Sequence, residues 1–326
     1  MTTDLRIGIL GAARVATYAM IAPAKTVPGV EVASVASRDP ARATAYAAQH
    51  AIDRVHDTYT ELIADPQVDL VYIATPPNTH AELALASLAA GKPTLVEKPF
   101  SMSADEARRV LAAAQAARVP VFEAMHSPHH EVFRHTLELI GGGAVGEVRS
   151  LRAEFRVTVK EKQGEFRWDA ALGGGALMDL GVYPLAWCRR IAGEDFVVAT
   201  AMSDMRHGVD AAFTARLEFS DGIVADVGAS MISPDRFALL VVEGTKGRIV
   251  VVNPLAPQSG HSIGIERDGE AETITLDGPS TYEAQLMAVR DALCSGKPFP
   301  FPDNDFVKSM EAIERVRDGF AVTSRN

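Results

Sequence analysis

Two short stretches set reactive side chains beside glycine or proline. In Gly173-Gly174-Gly175-Ala176-Leu177-Met178-Asp179-Leu180-Gly181-Val182-Tyr183-Pro184, three glycines precede a run that can be helical. On a helix Asp179 and Tyr183 stand four apart and share one face. In Glu97-Lys98-Pro99-Phe100 a carboxylate and an ammonium follow a short apolar run. A phenol with a pKa near ~10 is a poor base at neutral pH until a nearby cation stabilises the phenolate, and a lysine does that. Tyr183 as acid/base, Lys98 as the cation that also holds a substrate oxygen, and Asp179 fixing a second hydroxyl or orienting Lys98 form a set suited to one task. That task is taking up the hydroxyl proton as hydride leaves an alcohol. Each group alone has a plainer reading. A strand-end Glu-Lys-Pro is commonly a solvated turn, and a single helical tyrosine is commonly a packed ring with a wet tip.

A hydride needs an acceptor, and the first residues offer a place for one. Gly8-Ile9-Leu10-Gly11-Ala12-Ala13-Arg14-Val15-Ala16 runs from an apolar strand through a turn into a helix. Set on the dinucleotide fingerprint G-x-G-x-x-G/A, the marked positions fall on Gly11, Ala13 and Ala16. Gly11 permits the tight turn, and Ala13 stands where glycine would let the backbone approach a pyrophosphate at the positive helix end. Gly11, Ala12, Ala13, Arg14 and Val15 are therefore expected to bind cofactor; a tight structural turn that binds nothing is the alternative. After the second strand, Ser37 and Arg38 precede Asp39. An acidic side chain there binds a ribose 2′-hydroxyl, whereas Arg38 forms charge-assisted bonds with a 2′-phosphate and Ser37 supplies a donor. NADP(H) is the expected cofactor and NAD(H) is possible, with Asp39 free either to pair with Arg38 or to point to solvent.

The elements that must position these groups alternate cleanly over the first third. Strands are expected at 5–10, 30–36, 55–57, 70–74, 94–96 and 119–122. Helices fall at 14–26, broken at Pro23, and at 40–50, 59–64, 81–90 and 103–117. Such alternation means a doubly wound parallel sheet with helices on both faces. From about residue 148 the rhythm changes to closely spaced strands, at 148–159, 211–219, 223–229, 238–242 and 248–252. Ser220-Asp221-Gly222 marks a tight turn between two of them. Helices at 282–295 and 305–321 close the chain. The expected architecture is α/β, with a dinucleotide-binding Rossmann domain over 1–122. An α+β domain over 123–326, with a mostly antiparallel sheet, binds substrate and oligomerises.

A chain of 326 residues with net charge −10 lacks the basic stripe that a nucleic-acid partner requires. Cys188 and Cys294 are too few for a disulfide framework and are spaced like no metal site. No run is long and apolar enough for a membrane span and no leader is visible, so a cytoplasmic location is expected. Arg167 and Trp168, just before the glycine block, are expected to cover the nicotinamide, with packing as an equal alternative for Trp168.

The Gly8–Ala16 turn, Ala74-Thr75-Pro76-Pro77-Asn78-Thr79-His80, Glu97-Lys98-Pro99-Phe100 and the 173–184 block, in this order, together resemble the Gfo/Idh/MocA family of oxidoreductases. The resemblance spans essentially the whole chain. It implies a Rossmann domain followed by an open β-sheet domain used for oligomerisation, as a homodimer or homotetramer. It implies that Lys98 is the catalytic lysine, before a proline whose bond is often cis. Tyr183 stands where some members carry histidine, and so resembles the glucose–fructose oxidoreductase, dimeric dihydrodiol dehydrogenase and xylose dehydrogenase branch, in which NADP(H) is common. Thr75, Pro76, Asn78 and His80 match positions lining the cofactor, and Glu97 one near the nicotinamide ribose. His126 and His130 match positions of histidines that serve as substrate donors. Zinc at His126, His129 and His130 has no supporting cysteine, and hydride transfer here needs no metal, so none is expected. The substrate implied is a sugar, cyclic polyol or related small hydroxyl or carbonyl compound. Two competing readings share the fold: an NAD-dependent glycosidase, and a non-catalytic dinucleotide-sensing regulator. The retention of both Lys98 and Tyr183 argues against the second.

Overall fold

Apolar runs without alternation become strands buried on both faces. β1 (Leu5–Leu10) and β4 (Leu70–Ile73) form the centre of a sheet in the computed structural model, which describes residues 5–323. Ile7, Ile9, Leu70, Val71, Tyr72 and Ile73 are wholly buried, as a parallel sheet covered on both sides requires. β2 (Val30–Ala36), β3 (Arg54–His56), β5 (Thr94–Val96) and β6 (Val121–Glu123) complete it. The order is β3-β2-β1-β4-β5-β6, and every pair is parallel. That order reverses between β1 and β4, and ligands of open α/β sheets bind outside the carboxyl ends at such a reversal. The Gly11 turn leaves β1 there, the Thr75 loop leaves β4, and Glu97 and Lys98 leave β5.

The helix expected to break at Pro23 does not break. It runs as Arg14–Ala16, a π segment Thr17–Ile21, and Ala22–Ala24. A helical proline lacks an N–H, and its ring crowds the carbonyl four residues back. Here that carbonyl belongs to Ala19, inside the wider π turn, which makes room for the ring. The pattern recurs where the π segment Leu177–Gly181 runs into the helix Val182–Ala192, with Leu180 four residues before Pro184.

The second sheet comprises β7 (Val148–Thr158), β8 (Phe196–Arg206), β9 (Val209–Phe219), β10 (Val224–Ser230), β11 (Ile232–Gly244), β12 (Gly247–Val252), β13 (Ser262–Arg267), β14 (Glu270–Ile274) and β15 (Phe320–Thr323). Its order is β14-β13-β12-β11-β7-β10-β9-β8-β15, antiparallel except where β7 meets β10 and β15 meets β8. β8, β13, β14 and β15 go beyond the strands expected from sequence. His207-Gly208 joins β8 to β9 with φ of 53° and 82°, and Asp268-Gly269 joins β13 to β14 with φ of 53° and 84°. Two consecutive positive φ values are what a two-residue hairpin turn uses to match strand twist. The helix expected to reach residue 321 stops at Asp318, because Gly319 turns the chain into β15.

Contacts separate two compact units. One holds the described residues up to His126 together with Tyr282–Met310; the other holds Ser127–Thr281 together with those from Glu311 onward. A single cut after residue 122 is therefore corrected in two ways. Residues 123–126 stay with the first sheet, and the chain returns to that unit late. The return has a plain cause: Leu286 and Val289, on the helix Thr281–Ser295, are wholly buried in the core that contains Ile7, Ile9 and Leu95. No helix among the described residues is long and apolar enough to cross a membrane.

Candidate active site

Gly11 ends β1 with φ of 106°, and a Cβ there would stand 2.9 Å from the Ala74 carbonyl oxygen. Glycine alone meets both demands. Ala12 is buried, and Ala13 enters the helix from extended backbone (φ −102°, ψ 147°), with Val15 half-buried and Arg14 exposed beyond it. The turn's carbonyls are drawn off by two side chains of the helix Pro40–His50. Ala12 O accepts from Arg42 Nη2 at 2.9 Å, and Ala13 O from Tyr46 Oη at 3.0 Å. With those oxygens engaged, what the turn offers a ligand is the N–H end of a helix, which favours an anion.

Ser37 is buried and Arg38 exposed after β2. Asp39 takes a course that neither sequence-based alternative named. Its carboxylate caps the helix Pro40–His50, accepting from the N–H groups of Ala41 at 3.0 Å and Arg42 at 3.3 Å. The carboxylate is thus committed to the helix, while Arg38 and Arg42 remain as two cations near the turn. Tyr59 lies beside them: burial raises its phenol above the ordinary range, and the Arg38 backbone N–H opposes this. These residues fit a dinucleotide phosphate. Arg42 and Tyr46 are missing from the sequence-based set, although Asp39-Pro40, a cap followed by proline, announces the helix that carries them.

The loops after β4 and β5 are tied together from below. Buried Glu97 accepts from Tyr72 Oη at 2.5 Å and from the Lys98 N–H at 3.3 Å. Burial, then the Glu97 charge, holds the Tyr72 phenol well above its usual range, so it stays a donor. Lys98 is half-buried, and its bond to Pro99 is cis. His80, expected to line the cofactor, is only 1% exposed. Its Nδ1 lies 2.9 Å from the Pro99 carbonyl and its Nε2 2.8 Å from the Thr75 carbonyl. Burial, with Lys98 adding, lowers its pKa. The neutral ring has one N–H and donates to one of these carbonyls while lying against the other, so His80 sits between the two loops. Thr75 and Pro76 are half-buried and Asn78 exposed on the loop after β4. Buried His126 stacks on Tyr282, centroids 4.1 Å apart, and Tyr18 meets Tyr282 edge-on at 5.5 Å. Tyr282 lies too far along the chain for any local pattern to reveal it.

In the second unit the glycine block wraps the Arg167 carbonyl. Gly175 N–H bonds it at 2.9 Å, and a Cβ on Gly174 would stand 2.5 Å from it. Arg167 in turn donates from Nε to Asp179 Oδ2 at 2.6 Å and from Nη1 to Glu165 at 2.8 Å. Burial works against the Arg167 charge, but Asp179 and Glu165 outweigh it and hold its pKa above the ordinary range. Asp179 turns to Arg167, while the Tyr183 ring, 5% exposed, meets Phe155 edge-on at 6.0 Å and lies 6.5 Å from Trp187. Trp168 is half-buried and meets His207 edge-on at 5.7 Å. His130, expected as a substrate donor, stands at the start of a helix. Its Nδ1 accepts from the Val132 N–H at 3.1 Å as the cap of the helix Glu131–Gly141, and the Pro279 backbone engages the ring as well. Burial, with Arg190 adding, pushes His129 down to about 3.

The π segment sits directly on β9. A Cβ on Gly181 would stand 2.5 Å from Phe213 Cε1. Gly181→Val is expected to destabilise this unit by roughly 1–3 kcal/mol through overpacking. Urea denaturation followed by tryptophan fluorescence reads this, and an unchanged midpoint would refute the close approach.

Residues 5–125 match the sequence family described as an oxidoreductase family with an NAD-binding Rossmann fold, and residues 133–250 match the GFO/IDH/MocA C-terminal domain. The chain is 31% identical over 316 residues to a D-xylose 1-dehydrogenase (NADP(+)) of Haloferax volcanii, covering 96% of each chain. It is 34% identical over 295 residues to a dTDP-3,4-didehydro-2,6-dideoxy-alpha-D-glucose 3-reductase of Saccharopolyspora spinosa, covering 88% of this chain and 87% of that one. Among solved structures, a 3-ketoreductase from Actinomadura kijaniata in complex with NADP and TDP-benzene superposes with a TM-score of 0.91 at 26% identity, covering 98% of this chain and 99% of that one. The late return of the chain to its first unit and the nine-stranded second sheet thus accompany a match over nearly the full length, and the chain belongs to the Gfo/Idh/MocA family of oxidoreductases.

Proposed function

We propose that this oxidoreductase moves a hydride between NADP(H) and a hydroxyl or carbonyl carbon of a sugar, cyclic polyol or related small molecule. One observation carries the reading: the Gly11 turn, the Thr75 loop and Lys98 all leave the parallel sheet at its carboxyl edge, flanking the reversal between β1 and β4. The nicotinamide supplies the hydride acceptor or donor. Tyr183 holds and releases the hydroxyl proton, Lys98 stabilises the oxygen it acts on, and Asp179, fixed by Arg167, receives a second substrate hydroxyl. His126 and Trp168 contribute pocket surface. The relatives named as a xylose dehydrogenase and as reductases of keto-deoxysugar nucleotides support a sugar as the substrate.

The preference for NADP(H) rests on Arg38 and Arg42, with Asp39 drawn into its helix cap. Arg38→Ala is expected to raise KM for NADPH about 10- to 100-fold, since bonds between charged groups contribute about 1.5–3 kcal/mol, and to leave KM for NADH nearly unchanged. Initial rates with both cofactors decide it, and equal effects on the two would defeat the assignment. The assay follows nicotinamide absorbance over a panel of aldoses, inositols, dihydrodiols and keto-sugars. No turnover with any of them would reject the substrate class.

Two further readings belong with this one. Phe237, Leu239, Val241, Val250 and Val252 form a half-exposed apolar patch on one face of the second sheet, beside the Arg152–Glu154–Arg156 ion pairs. A second copy of the chain would cover it in a dimer or tetramer, and sedimentation of a Val252→Lys variant tests this. Two free cysteines, one buried and one exposed, suit a reducing compartment such as the cytoplasm.

A further inference from the structure

The segment that carries Asp179 and Tyr183 is fastened at its start by a side chain with no part in the motifs. Asp210, at the beginning of β9, accepts the Leu177 N–H on Oδ2 at 2.7 Å, and the Ala176 N–H also bonds its carboxylate. Its other oxygen fills the space beside Gly175, where φ is 115° and a Cβ would collide with the carboxylate. Six residues further on, Gly181 rests against Phe213 of the same strand. β9 therefore grips the π segment at both ends, and Arg167 grips Asp179 between them.

We infer that Asp210 is a positioning residue for the proposed reaction: its ionised carboxylate caps the Leu177–Gly181 segment and holds Asp179 and Tyr183 in the geometry that turnover requires. This rests on the assignment of Tyr183 and Asp179 made above. Capping suits the chemistry of the segment, because its leading N–H groups have no intrahelical partner and a charged acceptor binds two of them at once. Protonation removes that capacity from one oxygen. Burial raises the Asp210 carboxyl to about 6, well into the range where an enzyme is assayed. Charged groups lie on the elements near it. Arg317, on the helix Asp305–Asp318, pulls the value down; Asp179, on the capped segment, is held by Arg167; and Asp204 and Arg206 of the neighbouring strand β8 pair with each other at 3.6 Å.

The sign of the linkage separates positioning from stability. The folded state raises this carboxyl above its unfolded value, so it binds the proton more tightly when folded. The stability it contributes therefore grows as pH falls from about 6 toward the unfolded value of 3.8. Turnover moves the other way, falling as the cap is protonated.

Asp210→Asn imitates the protonated cap at every pH. At pH 8 it is expected to lower kcat about 10- to 100-fold, the loss that small misplacements of catalytic groups produce. KM for NADPH should stay unchanged, and the resistance to urea should be equal or greater. The acid limb near pH 6 expected of the parent should be missing from its kcat profile. Hydrogen exchange of peptides spanning 175–183, at one fixed pH, should show faster exchange in the variant. A variant that keeps the parent's kcat and acid limb would overturn the inference, as would unaltered exchange over 175–183. Should the parent turn over none of the sugars tested, the functional reading fails by itself, and the exchange measurement still decides whether Asp210 holds the segment.

Discussion

Tyr183→Phe is expected to lower turnover by about 10²–10⁴-fold, the span usually supplied by a positioned acid or base, and to leave the affinity for NADPH unchanged. The substitution removes one oxygen and little else. The ring is 5% exposed and is set by Phe155 and Trp187, and Trp187 is itself anchored by donating from Nε1 to Ser127 Oγ at 3.0 Å. A phenyl ring therefore occupies the same place, and the fold does not change with it. The residues proposed to hold the cofactor, from Gly11 to Arg38 and Arg42, belong to the other unit. Nicotinamide absorbance gives the rate, and quenching of protein fluorescence by NADPH gives the affinity. Undiminished turnover would remove Tyr183 from the chemistry.

The parts of this site that local sequence reveals are those that local geometry determines. Gly11 is legible because a turn at φ of 106° against the Ala74 carbonyl admits no side chain. The strands of the first sheet are legible because burial on both faces leaves unbroken apolar runs. Asp268-Gly269 is equally legible as a hairpin turn, and reading it would have added β13 and β14 to the expected strands. Other features depend on distant partners. The helix Thr281–Ser295 has an ordinary pattern, and nothing local says that Leu286 and Val289 complete the core built around β1. Likewise Tyr282 is defined by His126, and Asp210 by Leu177. His80 shows a different limit. The motif that contains it is recognisable, yet the pattern cannot tell a side chain that faces a ligand from one that spans two carbonyls. The π segments follow a rule that could be read forward: each places the residue four before a proline inside a five-residue turn.

Lys98→Met combined with Tyr183→Phe is expected to cost about as much as either change alone, again about 10²–10⁴-fold in kcat. Groups that act on one atom as a unit are not additive: once the acid/base is gone, the cation that served it has nothing left to stabilise. Lys98 is well placed for such a role within its own unit. It follows β5 directly, between a Glu97 held by Tyr72 and a Pro99 held by His80, so its backbone is fixed on both sides. The competing reading is that Lys98 serves only the cofactor. Its loss would then appear as a raised KM for NADPH, with kcat little changed, and would multiply with the effect of Tyr183→Phe in the double variant. Full kinetic constants for the two single variants and the double variant, in one buffer and with cofactor saturating, separate the cases. Multiplicative losses would show that the two side chains act on different steps, and the shared role assigned to them would have to be abandoned.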